Sequence, residues 1–327
     1  MPVLARTTTA ALTVTLASAL VLTGCSDPSD GSTAEVAGAS GAKTKINLSA
    51  DQRRVTTAKV DSIAARLPAE VRERGTLETV ASSTSAAPLN FYATDNKTVI
   101  GVETDLVHLV ADVLGLKVRI TPVSWENIFV GLDSGKYDVG FSNITVTEER
   151  KEKYDFATYR EDNLGFEAKK GSGLEVDGPE DVAGLTVAVS SGTNQEKLLI
   201  EWSKENEKAG RKPVDIKYYQ NDSDTYLALR SGRIDLYLGP NPTAAYHAAT
   251  SGQTEVVGTY SGAGDTLQGL IAATTKKDSG LVEPLADALN EVIRNGTYGK
   301  VLARWGLSDE AVEKSEINPP GLPKTDE

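Results

Sequence analysis

The stretch Asp138–Tyr159, DVGFSNITVTEERKEKYDFATY, restricts the fold more than any other part of the chain. Tyr137–Phe141 is a short β-rich run that closes on small polar residues. Thr145-Val146-Thr147-Glu148-Glu149-Arg150 then sets two hydroxyls, two acids and an arginine in six positions. Thr147 suits an N-cap, and Glu148 and Glu149 suit the positive end of a helix. A strand ending in hydroxyls beside the unpaired amides of a helix start makes an anion site. Arg150, one turn into that helix, adds a planar fork that fits a carboxylate. Two readings are open from these residues: a carboxylate clamp of Thr145, Thr147 and Arg150, or a capped helix whose arginine pairs with Glu148 or Glu149 at the surface. The same order returns downstream, with Leu185–Val189 as strand, Ser190–Asn194 as turn and Gln195 onward as helix.

The rest of the pattern fills in around these two units. Thr76–Ala81 reads as a strand, Leu116–Val123 alternates like one, and Val107, Val110, Val113 and Leu114 recur at helical spacing until Gly115. Trp125-Glu126-Asn127-Ile128 opens another helix, and Ser134-Gly135-Lys136 ends it. Val214–Tyr219 and Ile234–Leu238 read as strands around a helix over Thr225–Arg230. Leu267–Thr274 reads as a strand, and Leu281–Asn295 as an amphipathic helix. With 327 residues the chain can build two domains, each with a sizeable core. A net charge of −12 and a pI near 4.9 argue against nucleic-acid binding and against a polybasic membrane patch. The single cysteine, Cys25, leaves no disulfide framework, zinc site or thiol nucleophile for the folded part.

That cysteine fits the N-terminus instead. Arg6 supplies a positive n-region, and Ala10–Leu22 is an apolar run too short to span a bilayer permanently. It ends in Leu22-Thr23-Gly24-Cys25, which resembles a bacterial lipobox. Residues 1–24 are therefore expected to be a lipoprotein signal peptide, with Cys25 as the lipidated first residue of a chain held outside the cytoplasm. The other reading is an ordinary secretory signal with a chance cysteine. Residues 25–45 are small and polar and read as a flexible tether. Residues 46–74 carry Val55, Ala58, Val60, Ile63, Leu67 and Val71 in a helical pattern, broken at Pro68.

An ordered series of short blocks resembles the bacterial extracellular solute-binding proteins, family 3, which deliver polar amino acids to ABC importers. The blocks are Gly101–Leu106, Leu132–Asp138, the opening stretch, Gly184–Val189, Gly192–Glu196, Ser231–Asp235 and Gly296–Tyr298. The resemblance runs from about residue 74 to about 313. It implies an α/β, two-lobed periplasmic-binding-protein-like fold of type II, with open mixed sheets, helices on both faces and two hinge crossovers. The lobes it implies are 75–165 and 266–314 for the first and 166–265 for the second, leaving a frayed tail at 315–327. Leu164–Ala168 and Tyr260–Asp265 are the expected crossings.

The same resemblance implies the site. Arg150, Thr145, Thr147 and Asn143 would hold a ligand carboxylate from the first lobe, and Thr193 and Asn194 would complete it from the second. Trp125 would form an apolar wall. Capping and core packing are the alternative roles of Thr193, Asn194 and Trp125. This chain departs from the family in three places. Ala86 stands where an aromatic stacks on the ligand, with Phe91 as a possible substitute, and Ser83 stands where some members carry an acid for basic ligands. Pro240 stands where an aspartate receives the ligand's ammonium, leaving Asn241 as a weaker acceptor. The implied function is a monomeric, lipid-anchored receptor for a small amino-acid-like solute, working with an ABC permease, with no cofactor, metal or nucleic acid. A dehydratase-like enzyme of the same architecture is an alternative, with Glu126 and Asp162 as its candidate acid and base. An orphan sensor is another. His108 and His247 read as structural, and the chain contains no GxSxG, HExxH or P-loop motif.

Overall fold

A computed structural model describes Met1 and residues 32–37, 43–82, 86–219 and 221–324. The rest of the signal segment, Cys25 and Ser83 lie outside the described residues. Strands β1 (Thr33–Ala37) and β2 (Lys43–Asn47) pair as an antiparallel hairpin, Thr33 opposite Asn47. The featureless tether expected over 25–45 is thus structured over part of its length. Ile46 explains this, because it is buried in the first lobe's core and anchors β2.

The helix expected from Ser49 is not formed. Only α1 (Asp61–Ala64) and α2 (Ala69–Arg74) are helical in that segment. Residues 49–60 run as irregular chain along α3 (Val102–Leu114), where the Thr57 and Val60 amides donate to Asp112 and to the Val113 carbonyl. Val55, Val60 and Ile63 still pack on the first core. Tertiary contact, rather than local periodicity, decides this segment's conformation.

The first lobe's sheet uses β3 (Thr76–Ser82), β6 (Lys117–Val123), β7 (Val139–Gly140) and two later strands; β4 (Phe91–Tyr92) and β5 (Val99–Ile100) make a small hairpin. Helix α4 (Trp125–Asp133) lies between β6 and β7. β3 runs parallel to both β6 and β7, and it buries Leu77, Thr79, Val80 and Ala81 without alternation. Such a pattern belongs to a strand covered on both faces. Leu77 joins a core with Leu106, Leu285 and Trp305, whereas Val80 joins one with Ile128, Leu132 and Phe156.

The long strand β8 (Tyr154–Lys169) carries the chain between lobes. Its first half pairs antiparallel with β13 (Gly269–Lys276), from Tyr154 opposite Lys276 to Asp162 opposite Gly269. From Asn163 onward it pairs with β11 (Leu236–Pro240) and β12 (Thr254–Ser261). The change of sheet falls between Asp162 and Asn163, at the edge of the expected crossing. The second lobe adds β9 (Thr186–Val189), α5 (Asn194–Lys208), β10 (Asp215–Tyr218), α6 (Asp222–Ser231) and α7 (Asn241–Ser251). β9 runs parallel to β10 and β11. The chain returns from β12 to β13, and α8 (Val282–Arg294) and α9 (Thr297–Arg304) close the first lobe.

The tail is not frayed. Asn318 donates its amide to the Phe156 carbonyl and accepts from the Phe156 amide, and Leu322 exchanges backbone hydrogen bonds with Val146 and Glu148. Leu322 is buried with Leu164, Leu198 and Ala263 of the second lobe's core. The described part of the tail is therefore a strap across the lobes, held by backbone hydrogen bonds and by the buried Pro319 and Leu322.

Candidate functional site

The carboxyl ends of parallel strands in an open sheet leave a crevice with helix N-termini around it. Here that crevice lies between the lobes and encloses about 720 Å³, its open mouth included. Trp125, Ser142 and Asn143 line it from the first lobe. Thr193, Asn194, Asp222, Tyr237, Pro240 and Thr243 line it from the second.

Asn143 sits at the turn after β7 with φ +50°, a left-handed conformation that asparagine tolerates. A buried network beneath it holds that turn. Glu103 accepts from the Asn143 amide (2.6 Å), Asn90 Nδ2 (2.7 Å) and the Tyr159 hydroxyl (2.8 Å). Arg160, also fully buried, donates to the Asn143 side chain and pairs with Glu310. Burial drives the Glu103 and Glu310 carboxyls upward, to about 7 for Glu310, and the Arg160 charge opposes it. The network fixes one geometry, since breaking it strands a buried charge.

After Thr147 the chain makes only one turn of 3₁₀ helix, Arg150–Glu152, before β8 begins. The longer helix expected there is absent, because β8 must start at Tyr154 to pair with Lys276. Thr147 Oγ1 accepts from the Arg150 amide at 3.1 Å, but the N-cap position of this turn is Glu149, two residues later than expected. Glu148 and Glu149 are not paired with Arg150; they bind Lys151 and Lys197. The surface ion pair considered for Arg150 is therefore not formed. Its guanidinium instead donates to the Thr145 carbonyl (2.9 Å) and, across the cleft, to the Gly192 carbonyl (3.2 Å). It lies over the rings of Trp125 and Phe129, 5.4 and 5.3 Å from their centroids. Burial lowers its pKa to about 10, and Asp162 acts in the opposite direction.

Gly192 receives a second donor, Trp125 Nε1 at 3.3 Å. Its φ of +74° turns the carbonyl toward the first lobe, a conformation that costs glycine little. One carbonyl of the second lobe is thus held by two side chains of the first. The Glu149–Lys197 ion pair lies on the same seam.

Two expected ligand groups are already engaged. The Thr145 hydroxyl, fully buried, donates to Asp162 Oδ2 at 2.7 Å, and Asn194 Nδ2 donates to the same oxygen at 3.1 Å and to the Gly262 carbonyl at 3.0 Å. A Cβ at residue 262 would fall 1.8 Å from Asp162 Oδ2, so the return crossing can approach only as glycine. Asp162 knots both lobes and the crossing together at the cleft floor. Burial raises its pKa against Thr145, Arg160, Asn194 and Arg150. Thr145, Thr147 and Arg150 are not among the lining residues; the Arg150 guanidinium lies against Trp125, which is.

Asn241 does not face the cleft. It opens α7 with its side-chain oxygen against Gly165, 3.2 Å from where a Cβ there would lie, and Pro240 and Thr243 line the wall instead. Thr193 caps α5, accepting from the Glu196 amide at 3.2 Å, while lining the cleft. The sequence reading missed Asp222, which begins α6 behind its N-cap Asn221. Its signal was the Asn221-Asp222-Ser223-Asp224 cluster, a helix start three residues ahead of the predicted one. Burial pushes the Asp222 carboxyl up to about 6.

Residues 79–308 match the sequence profile of the bacterial extracellular solute-binding proteins, family 3. The chain belongs to that family. This solute-binding protein is 31% identical over 241 residues to the L-cystine-binding protein TcyJ of Escherichia coli (strain K12), covering 73% of this chain and 86% of TcyJ. It is 30% identical over 261 residues to the arginine-binding protein ArgT of Corynebacterium glutamicum, covering 79% of this chain and 83% of ArgT. Its fold is similar to that of an ancestral arginine-binding protein bound to arginine, with TM-score 0.61 and 31% identity over 71% of this chain and 98% of that one. The two-lobed α/β architecture implied by the sequence blocks is thus the architecture of this solute-binding protein. Among the described residues, no helix is long and apolar enough to cross a membrane, and no His, Cys, Asp and Glu cluster could hold a metal.

Proposed function

We propose that this protein is the lipid-anchored receptor of an amino acid ABC importer and binds a small zwitterion between its lobes. The observation that carries this reading is the Arg150 guanidinium, held at the interlobe seam against the Gly192 carbonyl. A carbonyl oxygen is the neutral counterpart of a carboxylate oxygen. A ligand carboxylate that displaces it gives Arg150 an ionic partner, open to two parallel hydrogen bonds, in place of a single carbonyl dipole. Trp125 and the polar walls at Asn143 and Thr193 exclude water around that pair. Desolvating a charge is tolerable there because it is paired.

Similarity to proteins named for binding cystine and arginine supports an α-amino acid ligand, the chemistry those two share. Hinge motion at the two crossings would convert ligand binding into a shape a permease recognises. Cys25 would carry the anchor, and the protein would act as a monomer at the extracytoplasmic face of the cell membrane.

The geometry favours binding over catalysis. Glu126 is exposed on α4, and Asp162 is buried with two hydrogen-bond donors on one oxygen. Neither is placed as a free acid or base in the cleft. His108, driven down to about 4 by burial, and His247, bonded to Glu167, serve the interior. A thermal-shift and calorimetric screen of the standard L-amino acids, L-cystine, betaines and simple carboxylates tests the reading. Saturable binding of an amino acid, without product formation, is expected. Absence of binding by every zwitterion in the panel would refute it.

A further inference from the structure

Of the described residues that line the cleft, Asp222 alone has a carboxylate or a basic side chain. The other walls are neutral: Ser82, Ser142, Asn143, Ser190, Thr193, Asn194, Gln195 and Thr243 supply hydroxyls and amides, and Trp125, Leu238 and Pro240 supply apolar surface. A lone charge on such a wall is costly unless a ligand completes it. Among the described residues, no lysine, arginine or histidine makes an ion pair with Asp222. The Tyr237 hydroxyl, 3.5 Å from Oδ1, donates to it. Farther off, Glu167 and His247 act on it with opposite signs.

We infer that Asp222 receives a protonated amine of the bound solute. The inference rests on the reading of the cleft as an amino acid site and adds the second pole to it. Arg150 takes the carboxylate at the first-lobe side, and Asp222 takes the amine from the start of α6. Pro240 lines the same wall and has neither an N–H nor a polar side chain. Within the cavity, charge complementarity for a cation therefore falls to Asp222. Burial holds its carboxyl near 6, and an ammonium beside it would return it to the ionised form, coupling the carboxylate's desolvation to ligand capture. Tyr237, fixed in β11, orients the carboxylate.

The test starts from the tightest L-amino acid in the panel, measured by calorimetry on the full chain. Its Nα-acetyl and 2-hydroxy analogues keep the carboxylate and lose the α-ammonium; for a ligand with a basic side chain, the side-chain N-acetyl form is added. Asp222→Asn is expected to weaken the amino acid about 30-fold or more, the scale for removing one partner of a desolvated pair. The same change should leave the analogue lacking the responsible amine within about threefold of its wild-type affinity. Which analogue escapes the effect identifies the α or the side-chain amine. Equal losses for the amino acid and for every one of its amine-lacking analogues, or no loss for any of them, would overturn the assignment to Asp222. Should the variant misfold, the wild-type protein still decides: equal affinity for the amino acid and its amine-lacking analogues overturns the proposal. An amino acid bound through Arg150 with no response at Asp222 sinks only this inference; no zwitterion bound at all sinks the underlying reading too.

Discussion

Replacing Arg150 by alanine tests the carboxylate pole directly. In the structure the guanidinium has two carbonyl acceptors, Thr145 and Gly192, and two aromatic faces, Trp125 and Phe129. On the proposed reading, binding exchanges only the Gly192 contact for a carboxylate; the Thr145 bond and the rings keep the fork in place. Truncating one partner of a buried, hydrogen-bonded charge pair costs about 2–5 kcal/mol, or about 30- to 5,000-fold in Kd. The wild-type protein gives up a charge-assisted bond to Gly192 on binding, itself worth about 1.5–3 kcal/mol, and the variant gives up nothing. The net loss should therefore fall in the lower half of that range. Arg150→Lys keeps the charge without the planar fork and should lie between. Isothermal titration with the tightest amino acid is the assay, after circular dichroism has established that the variants fold. A Kd for Arg150→Ala within about threefold of wild type would refute the clamp.

Further outcomes are expected. In the Asp222→Asn background, Pro240→Asp should recover part of the lost affinity, because residue 240 lines the same wall and caps α7, where aspartate is favoured; a titration no tighter than the single variant would count against it. Asp222 has its pKa raised to about 6, so the folded protein retains a proton that the unfolded chain releases from about pH 4 upward. Its contribution to stability therefore declines as pH rises through that window, whereas affinity for an amine-bearing ligand should rise; calorimetry from pH 4.5 to 8 on wild type and Asp222→Asn would expose a pH-independent affinity if the reasoning is wrong. Leu322→Ala should cost about 2–5 kcal/mol in urea denaturation, since a buried apolar anchor of the strap is removed. An unchanged midpoint would mean that the strap is ornamental.

Much of the fold was legible because its signals are local. A capped turn such as Ser190–Thr193 before α5, or the apolar spacing of Val107–Leu114 in α3, depends on residues within one or two turns. Arg150 was legible as a candidate for the same reason: its neighbours form a compact polar block after a strand. The segment at 49–60 was misread because its apolar residues pack on α3 in irregular conformation, and periodicity alone cannot distinguish the two. The tail was misread because its composition gave no warning that Leu322 fills a slot in the second lobe.

What the sequence determined by itself was the order of strands and helices and the chemistry available at their ends, since both are set by neighbours along the chain. Only the tertiary structure decided which of those groups face the cleft. Thr145 and Asn194 spend hydrogen bonds on Asp162, Asn241 turns toward Gly165, and Asp222 is carried to the wall by a helix that begins earlier than its pattern suggests. Those outcomes depend on contacts across 17 and 32 residues, as for Asp162 with Thr145 and Asn194, which no local pattern encodes.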